Sequence, residues 1–427
     1  MKKLIALFLV AVFAFGLLAA CANDSSNLPA GEIADVAPDE LSGTLQFAIW
    51  DDVQLPSQRA KADAFIAMNP GVTIEITSTP FDQYHIAMHT GLRAGTAPDI
   101  FWMNTTLATI FMPTGTIQTL TPLMERDNVD LSGINPDIVR AYQYNGEQFG
   151  IPKCMDSLAM AYNRALFDYA GVPHPTSDWT WDEFRQISRD LVAGGVRYGY
   201  MNDGSERFMI AWIRSGGGAF YTEDRTASAF NSPENINTLQ FLMDMHLVDG
   251  TTPSGFQNAE LTAEHFFLNA HAAMGVFGSW QVSYLYEHLG ADLGFVEIPI
   301  GPGGRGGVSH GLGYGTPSAG SNMEAAWGFL QFLSTAESSV KQAGVTMPVH
   351  TAVVNAWLDY FPALDLSPYI RAFDYSPTIP LALTGVNGAR QVVRDVLAEI
   401  WLQQYDVPTA LASGEQRMNA QIALGDE

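Results

Sequence analysis

The chain has 427 residues, of which 45 are acidic and 21 basic, so its formal net charge is −24. A surface this acidic repels nucleic acid and anionic lipid headgroups, and we expect neither as a ligand. The length exceeds what one hydrophobic core usually serves, which predicts two domains.

The first 21 residues predict a lipoprotein signal peptide. Lys2 and Lys3 are followed by a continuous apolar run, and small residues precede Cys21. Cleavage before Cys21 would leave a thiol to carry lipid and hold the protein at the extracytoplasmic face of the cell membrane. A plain transmembrane anchor is the alternative that the length allows. Residues 22–41 are rich in Asn, Asp, Ser, Pro and Gly, which predicts a flexible tether.

Strands and helices then alternate. Residues 45–49 and 72–76 place apolar side chains at every second position and predict strands, with a helix between them at 59–68. A second helix is predicted over 81–94 and a third strand over 99–103. This order predicts a parallel sheet with crossover helices, in which ligands bind beyond the carboxyl ends of the strands.

Aromatic side chains stand next to polar ones at the predicted strand ends. The pairs are Trp50 with Asp51, Trp102 with Asn104, and Trp280 with its neighbours Ser279 and Gln281. Sugars present apolar C–H faces that stack on aromatic rings, while their hydroxyls need polar partners. We therefore predict that Trp50, Trp102 and Trp280 contact a ligand.

Other motifs favour no cofactor, metal or catalytic site. Residues 301–306 match G-x-G-x-x-G, but the Gly-rich sequence after them cannot open the helix that a dinucleotide site needs. His85 and His89 share a helical face without a third ligand in view, so no metal is expected. Cys154 has no disulfide partner once Cys21 carries lipid, and we expect it to be buried as a small hydrophobe.

Several stretches spread over most of the chain carry a family resemblance. They are residues 90–99 (TGLRAGTAPD), 144–152, 161–171 (AYNRALFDYAG) with Pro175, 180–184, 278–280, 298–303 and 325–333. In order and spacing they resemble the extracellular solute-binding proteins of ABC importers, in the carbohydrate-binding group similar to maltose-binding protein.

The resemblance implies an α/β fold of two lobes, each a mostly parallel sheet flanked by helices, joined by crossover hinge strands. The first lobe would hold residues 42–153 and 316–368, and the second lobe residues 154–311 and 373–427. Hinge crossings are expected near 153–157, 311–316 and 368–373.

The resemblance also implies a ligand cleft between the lobes. The residues expected to line the first lobe are Trp50, Asp51, Gln83, Trp102 and Asn104. Those expected in the second lobe or the hinge are Trp212, Trp280, Tyr314 and Asn387, with Asp156 just past the first crossing as a partner for a sugar hydroxyl.

The resulting hypothesis is a monomeric, non-enzymatic, lipid-anchored protein that delivers a sugar or oligosaccharide to an ABC transporter permease. The same fold could bind glycerol phosphate, for which Arg214 and Arg390 are candidates. It could also bind a polyamine through Asp51, Asp52 and Asp156. A secreted glycoside hydrolase is the alternative of a different class, because a pair of carboxylates suffices for that chemistry.

Overall fold

The computed structural model of the protein describes residues 41–255, 262–378 and 381–425. The predicted signal peptide, Cys21 and nearly all of the tether lie outside the described residues. Within the described part of the chain, no helix combines the length and apolar character needed to cross a membrane.

Twelve strands are described. They are β1 (Gly43–Ile49), β2 (Val72–Ser78), β3 (Ile100–Met103), β4 (Gln143–Tyr144), β5 (Glu147–Gln148), β6 (Ile151–Pro152), β7 (Asp156–Asn163), β8 (Tyr198–Met201), β9 (Ala272–Gly278), β10 (Leu293–Val296), β11 (Ser309–His310) and β12 (Gly313–Gly315).

The α-helices cover much of the remaining chain. They are Leu55–Met68, Phe81–Ala94, Thr105–Phe111, Thr121–Asp127, Pro136–Arg140, Arg164–Ala170, Trp181–Ala193, Glu206–Ser215, Pro233–Leu247, Ala263–Leu268, Val282–Leu289, Met323–Leu333, Ala336–Val340, Asn355–Tyr360, Ser367–Tyr375, Val386–Trp401 and Val407–Leu424.

The first lobe is built on a sheet with the strand order β2-β1-β3-β12-β6. β1 pairs in parallel with β2 and β3, so the predicted alternation of strands and crossover helices is confirmed. Leu45, Phe47 and Ile49 point to one buried face of β1, which is why this strand alternates apolar and polar residues. The helix Phe81–Ala94 ends at Gly95, whose φ of 69° is the left-handed conformation that glycine adopts without strain.

The second lobe is built on a sheet with the order β10-β7-β9-β8, with β11 pairing beside β7. Only β8 and β9 are parallel, while β7 is antiparallel to β9, β10 and β11. The expectation of a mostly parallel sheet is therefore wrong for this lobe. The reason is that β7 enters the lobe directly from the hinge and so runs opposite to β9, whose carboxyl end points back toward the hinge.

β7 lies at the centre of this sheet and is buried along its whole length. Ala159 and Ala161 belong to the apolar cluster that continues into the first lobe, whereas Leu158 and Met160 belong to the cluster on the opposite face. Because both faces are covered, residues 158–162 of β7 form a continuous apolar run without alternation.

Two chain crossings lie side by side at the hinge. β6 pairs with β12 in the first sheet, and β11 pairs with β7 in the second, so the chain crosses after Pro152 and again before Gly313. The Lys153 amide donates to the Leu312 carbonyl at 2.6 Å, which joins the two crossings. The lobe limits expected from the sequence, including the third crossing, stay predictions.

Cys154 lies in this hinge and is fully buried, as expected from the sequence. Its thiol donates to an Asp156 carboxylate oxygen at 3.3 Å. Burial, helped by the negative charge of Asp156, raises the pKa of the Cys154 thiol to about 12. A thiol in this state is a poor nucleophile.

Candidate functional site

Side chains from both lobes meet in a cleft at the carboxyl ends of β1, β8 and β9. Trp50 follows β1 directly, residues 202–205 follow β8, and Trp280 follows β9. Because β8 and β9 are parallel, the loops after them leave the same edge of the second sheet. This edge faces the first lobe, since Arg390 of the second lobe donates a hydrogen bond to Thr106 of the first.

An aromatic cluster forms the wall of the first lobe. The Trp50 ring lies 5.7 Å from Phe81, 5.0 Å from Tyr84, 5.4 Å from His85 and 5.1 Å from Trp102, measured between ring centroids. Most of these contacts are edge-to-face, the arrangement that aromatic quadrupoles favour. Trp50 is half-buried and Phe81 is 40% exposed, so the cluster presents apolar ring surface to the cleft.

Asn104 and His85 form a polar pair beside these rings. The Asn104 Oδ1 atom accepts from the Leu107 amide at 2.9 Å and caps the helix Thr105–Phe111, while its Nδ2 lies 2.9 Å from His85 Nε2. His85 Nδ1 lies 2.8 Å from the Phe81 carbonyl, which assigns the proton to Nδ1 and makes Nε2 the acceptor. Burial lowers the pKa of His85, so the imidazole is neutral at physiological pH.

Trp280 is the main aromatic side chain on the second-lobe wall. Its ring stacks on Phe208 with a centroid distance of 6.2 Å and an angle of 25°, and its centroid lies 5.1 Å from that of His310. A Cβ atom on Gly278 would lie 2.2 Å from the Trp280 ring, so glycine is the residue that allows the ring to fold back over the strand end. Trp280 remains half-exposed to the cleft.

An ion pair in the second lobe extends to the first. The Arg390 Nε atom donates to both carboxylate oxygens of Glu206, at 2.9 and 3.0 Å. Arg390 Nη1 also donates to the Thr106 hydroxyl, across the cleft. Burial would lower the pKa of Arg390, but Glu206 outweighs it and the net shift is upward. The pair therefore holds Arg390 charged where the two lobes touch.

Arg207 lies between aromatic rings of opposite lobes. Its guanidinium carbon is 6.0 Å from the centroid of Phe81 in the first lobe and 5.7 Å from that of Trp280 in the second. The residue retains exposed surface, yet surrounding protein desolvates the guanidinium enough to lower its pKa. Both properties fit a side chain that lines the cleft between the two lobes.

Asp156 and Asp203 place carboxyl groups near the cleft. Asp156 is buried at the start of β7 and accepts hydrogen bonds from Cys154 Sγ and from Ser279 Oγ, at 3.3 and 3.0 Å. Burial raises the pKa of Asp203, although its hydrogen bonds with Ser205 oppose the shift. The ring nitrogen Nε2 of His310 is buried with no hydrogen-bond partner among the described residues.

Four of the residues expected from the sequence lie at the cleft and are accessible to solvent. Trp50, Asp51, Asn104 and Trp280 are each partly accessible. Both Asp51 oxygens accept local hydrogen bonds, from the Val53 amide and the Gln54 side chain. Gln83 and Asn387 are exposed, near the starts of the helices Phe81–Ala94 and Val386–Trp401.

Three other expected residues have no solvent-exposed ring surface. Trp102, Trp212 and Tyr314 are 0% exposed. Trp102 packs beneath Trp50, with the Lys153 ammonium 4.4 Å from its ring centroid. A role for these residues in ligand contact stays a prediction that the geometry does not favour.

The polar atoms of Trp212 and Tyr314 make hydrogen bonds in the core, whereas the buried Nε1 of Trp102 has no hydrogen-bond partner among the described residues. Trp212 donates its indole N–H to the Tyr200 hydroxyl at 3.0 Å, and the Tyr314 hydroxyl bonds to Lys61 and Gln58. Arg214, considered for a phosphate group, donates instead to three main-chain carbonyls, of Gly307, Pro377 and Thr378.

Sequence reasoning missed Phe81, Arg207, Phe208 and His310 as cleft residues. One signal was available for Arg207, because it follows the carboxyl end of β8, where the strand-end rule that selected Trp50 and Trp280 also applies. No comparable local signal marked Phe81, which starts a helix and reaches the cleft through its packing on Trp50.

A cavity of about 620 Å³ lies elsewhere, between the helices Thr121–Asp127 and Pro136–Arg140 and the β4-β5 hairpin. None of the cleft residues lines it. We place the functional site at the cleft because aromatic and charged groups of both lobes converge there. Within the described residues, no group of three or more His, Cys, Asp or Glu side chains could hold a metal ion.

Comparisons with known proteins identify the family. Residues 54–340 match the family described as bacterial extracellular solute-binding protein. The chain is 24% identical over 382 residues to the maltotriose-binding protein of Pyrococcus abyssi, covering 81% of this chain and 77% of that protein. It is 26% identical over 238 residues to the arabinooligosaccharide-binding protein of Halalkalibacterium halodurans, covering 53% and 52%.

Solved structures share the fold. An ABC substrate-binding protein from Listeria monocytogenes in complex with cycloalternan superposes with a TM-score of 0.83 at 21% identity, covering 90% of this chain and 99% of that chain. UgpB from Mycobacterium tuberculosis in complex with glycerophosphocholine superposes with a TM-score of 0.79 at 17% identity, covering 90% and 99%. At these identities the likeness confirms the two-lobed α/β fold.

Proposed function

Because the chain belongs to the bacterial extracellular solute-binding protein family, we propose that it captures a sugar or oligosaccharide and delivers it to an ABC transporter permease. The observation that carries the proposal is the pair of aromatic surfaces across one cleft. Trp50 with Phe81 in the first lobe and Trp280 in the second would stack on the apolar faces of a sugar. The relatives that bind maltotriose and arabinooligosaccharides support this class of ligand.

The polar groups around these rings suit sugar hydroxyls. Asn104, Asp51 and Arg207 are partly accessible and offer both donors and acceptors at the cleft. Contacts divided between the lobes stabilise the closed state relative to the open one, so ligand binding shifts the population toward closure. The closed form is then the state that the permease would recognise.

The proposal includes a lipid on Cys21 and lobes with the limits expected from the sequence. A lipid anchor and a flexible tether raise the local concentration of a monomeric binding protein beside its permease. Replacing Cys21 with Ser should move the protein from the membrane fraction to the soluble fraction and abolish labelling by a radioactive fatty acid. If the Cys21→Ser variant remained in the membrane fraction, the lipid anchor would be contradicted, and the proposed ligand class would be unaffected.

A thermal-shift screen of the full chain in mild detergent tests the ligand class. Neutral mono- and oligosaccharides are compared with glycerol phosphate diesters and polyamines. A ligand present at about 100 times its Kd stabilises the folded state by about 2.7 kcal/mol, which raises Tm. Stabilisation by a sugar without release of products is expected. Turnover of an oligosaccharide would instead support the glycoside hydrolase, and a response only to a non-sugar solute would refute sugar capture.

A further inference from the structure

The charge of Arg207 is not balanced by any direct ion pair in the described part of the chain. No carboxylate there comes within 4.0 Å of its guanidinium, which lies instead beside the rings of Phe81 and Trp280. Arg390, four-fifths buried in the same cleft, is by contrast bonded to both oxygens of Glu206. Among the described residues, the Arg207 guanidinium is therefore a positive charge without an ion-pair partner, placed between the two aromatic walls.

The surroundings of Arg207 are those of a cation-binding site. Aromatic faces attract cations through their quadrupoles, and the effect grows as water is excluded. Desolvation is the main influence on the pKa of Arg207 and lowers it; the negative charges of Asp203, Glu206 and Asp156 act to raise it, and the positive charge of Arg390 acts to lower it. Without the Arg207 side chain, the rings of Phe81 and Trp280 would remain beside the carboxyl groups of Asp203 and Asp156, while Glu206 stays paired with Arg390. Aromatic rings beside carboxylates are the environment that recognises ammonium ligands.

We propose that Arg207 is a specificity residue that occupies this aromatic and acidic site with the protein's own cation and so excludes cationic solutes. The inference deepens the proposed function, on which it rests for the identity of the cleft. Specificity of this kind is achieved by repelling the wrong ligand rather than by binding the right one more tightly. Polyamines and amino sugars are the solutes excluded, while neutral sugars experience no such repulsion and can accept hydrogen bonds from the guanidinium.

Isothermal titration of the full chain with two probes tests the proposal. Spermidine is the cationic probe and maltotriose the neutral one. Arg207→Met removes the charge at similar length, and spermidine affinity should rise roughly tenfold, the size expected for deleting one like charge at about 6 Å under partial solvent screening. Arg207→Lys keeps the charge and should continue to reject spermidine. Arg93→Met, on the exposed end of the helix Phe81–Ala94, controls for the change in net charge.

Each outcome decides the matter. A spermidine gain in Arg207→Met that is absent in Arg207→Lys and Arg93→Met supports the proposal. Unchanged spermidine affinity in Arg207→Met overturns it. An equal gain in maltotriose affinity also overturns it, because the effect would then come from added space and not from the removal of the charge. If circular dichroism shows that Arg207→Met is unfolded, Arg207→Gln takes its place with the same expected gain. Failure of maltotriose to bind the wild type counts against the proposed sugar and leaves the spermidine comparison intact.

Discussion

The hydrogen bond between Arg390 and Thr106 joins the two lobes, so removing it should favour the open form. Thr106→Val keeps the volume and β-branching of the side chain and deletes the accepting oxygen. Arg390 keeps its two bonds to Glu206, so no buried charge is left without a partner. The substitution therefore isolates the bond that crosses the cleft.

The size of the effect follows from the environment of the bond. Hydrogen bonds that involve a charged group contribute about 1.5–3 kcal/mol. Because the Arg390 side chain is 21% exposed, we expect this bond to contribute an amount around the lower limit of that range, about 1–2 kcal/mol. That free energy shifts the ratio of closed to open protein by roughly 5- to 30-fold, and the apparent ligand affinity falls by up to the same factor.

Small-angle scattering of the ligand-free protein measures the opening, and titration with a sugar identified by the thermal screen measures the affinity. Thr109→Val is the matched control, because the Thr109 hydroxyl donates to the Thr105 carbonyl within its own helix. The reasoning is refuted if Thr106→Val and Thr109→Val have the same radius of gyration and the same Kd.

Three further predictions concern the cleft, the hinge and acid stability. Trp280→Ala should weaken sugar binding, and Gly278→Ala should also weaken it by displacing the Trp280 ring. Titration measures the affinity, and calorimetry should show that both variants melt near the wild-type temperature. Full sugar affinity in Gly278→Ala would contradict the prediction. In a Cys21→Ser background, Cys154 should resist thiol reagents near neutral pH and react fully in urea, because its raised pKa keeps the thiol protonated; rapid native labelling would be the contrary result. The Arg126 hydrogen bond lowers the pKa of Asp127 below 3.8, so its stabilisation holds above that pH and is lost as the pH falls through the lower folded value. Asp127→Asn should reduce the fall of Tm with decreasing pH at the acid end of the profile. An unchanged dependence of Tm on pH would assign acid unfolding to other groups.

Local patterns in the sequence predicted much of the first lobe. The alternation in β1 and β2, the extent of the helix Phe81–Ala94 and the parallel order of three strands all follow from short-range spacing. The second sheet could not be predicted in this way, because the direction of β7 depends on where the chain leaves the first lobe.

The sequence by itself determined that aromatic residues follow the strands and that the chain has the family pattern of a two-lobed binder. The tertiary structure decided which of those rings reach the cleft. Trp102 and Trp50 have similar sequence contexts, but Trp102 is covered by Trp50 and is 0% exposed. The difference arises because burial depends on what packs against each ring. Arg207 lies between two aromatic rings only because Phe81 and Trp280 approach it from opposite lobes. Phe81 and Arg207 are more than a hundred residues apart in the chain. Strand spacing is a local property of the chain, whereas the two sides of a cleft are brought together only by the packing of the lobes.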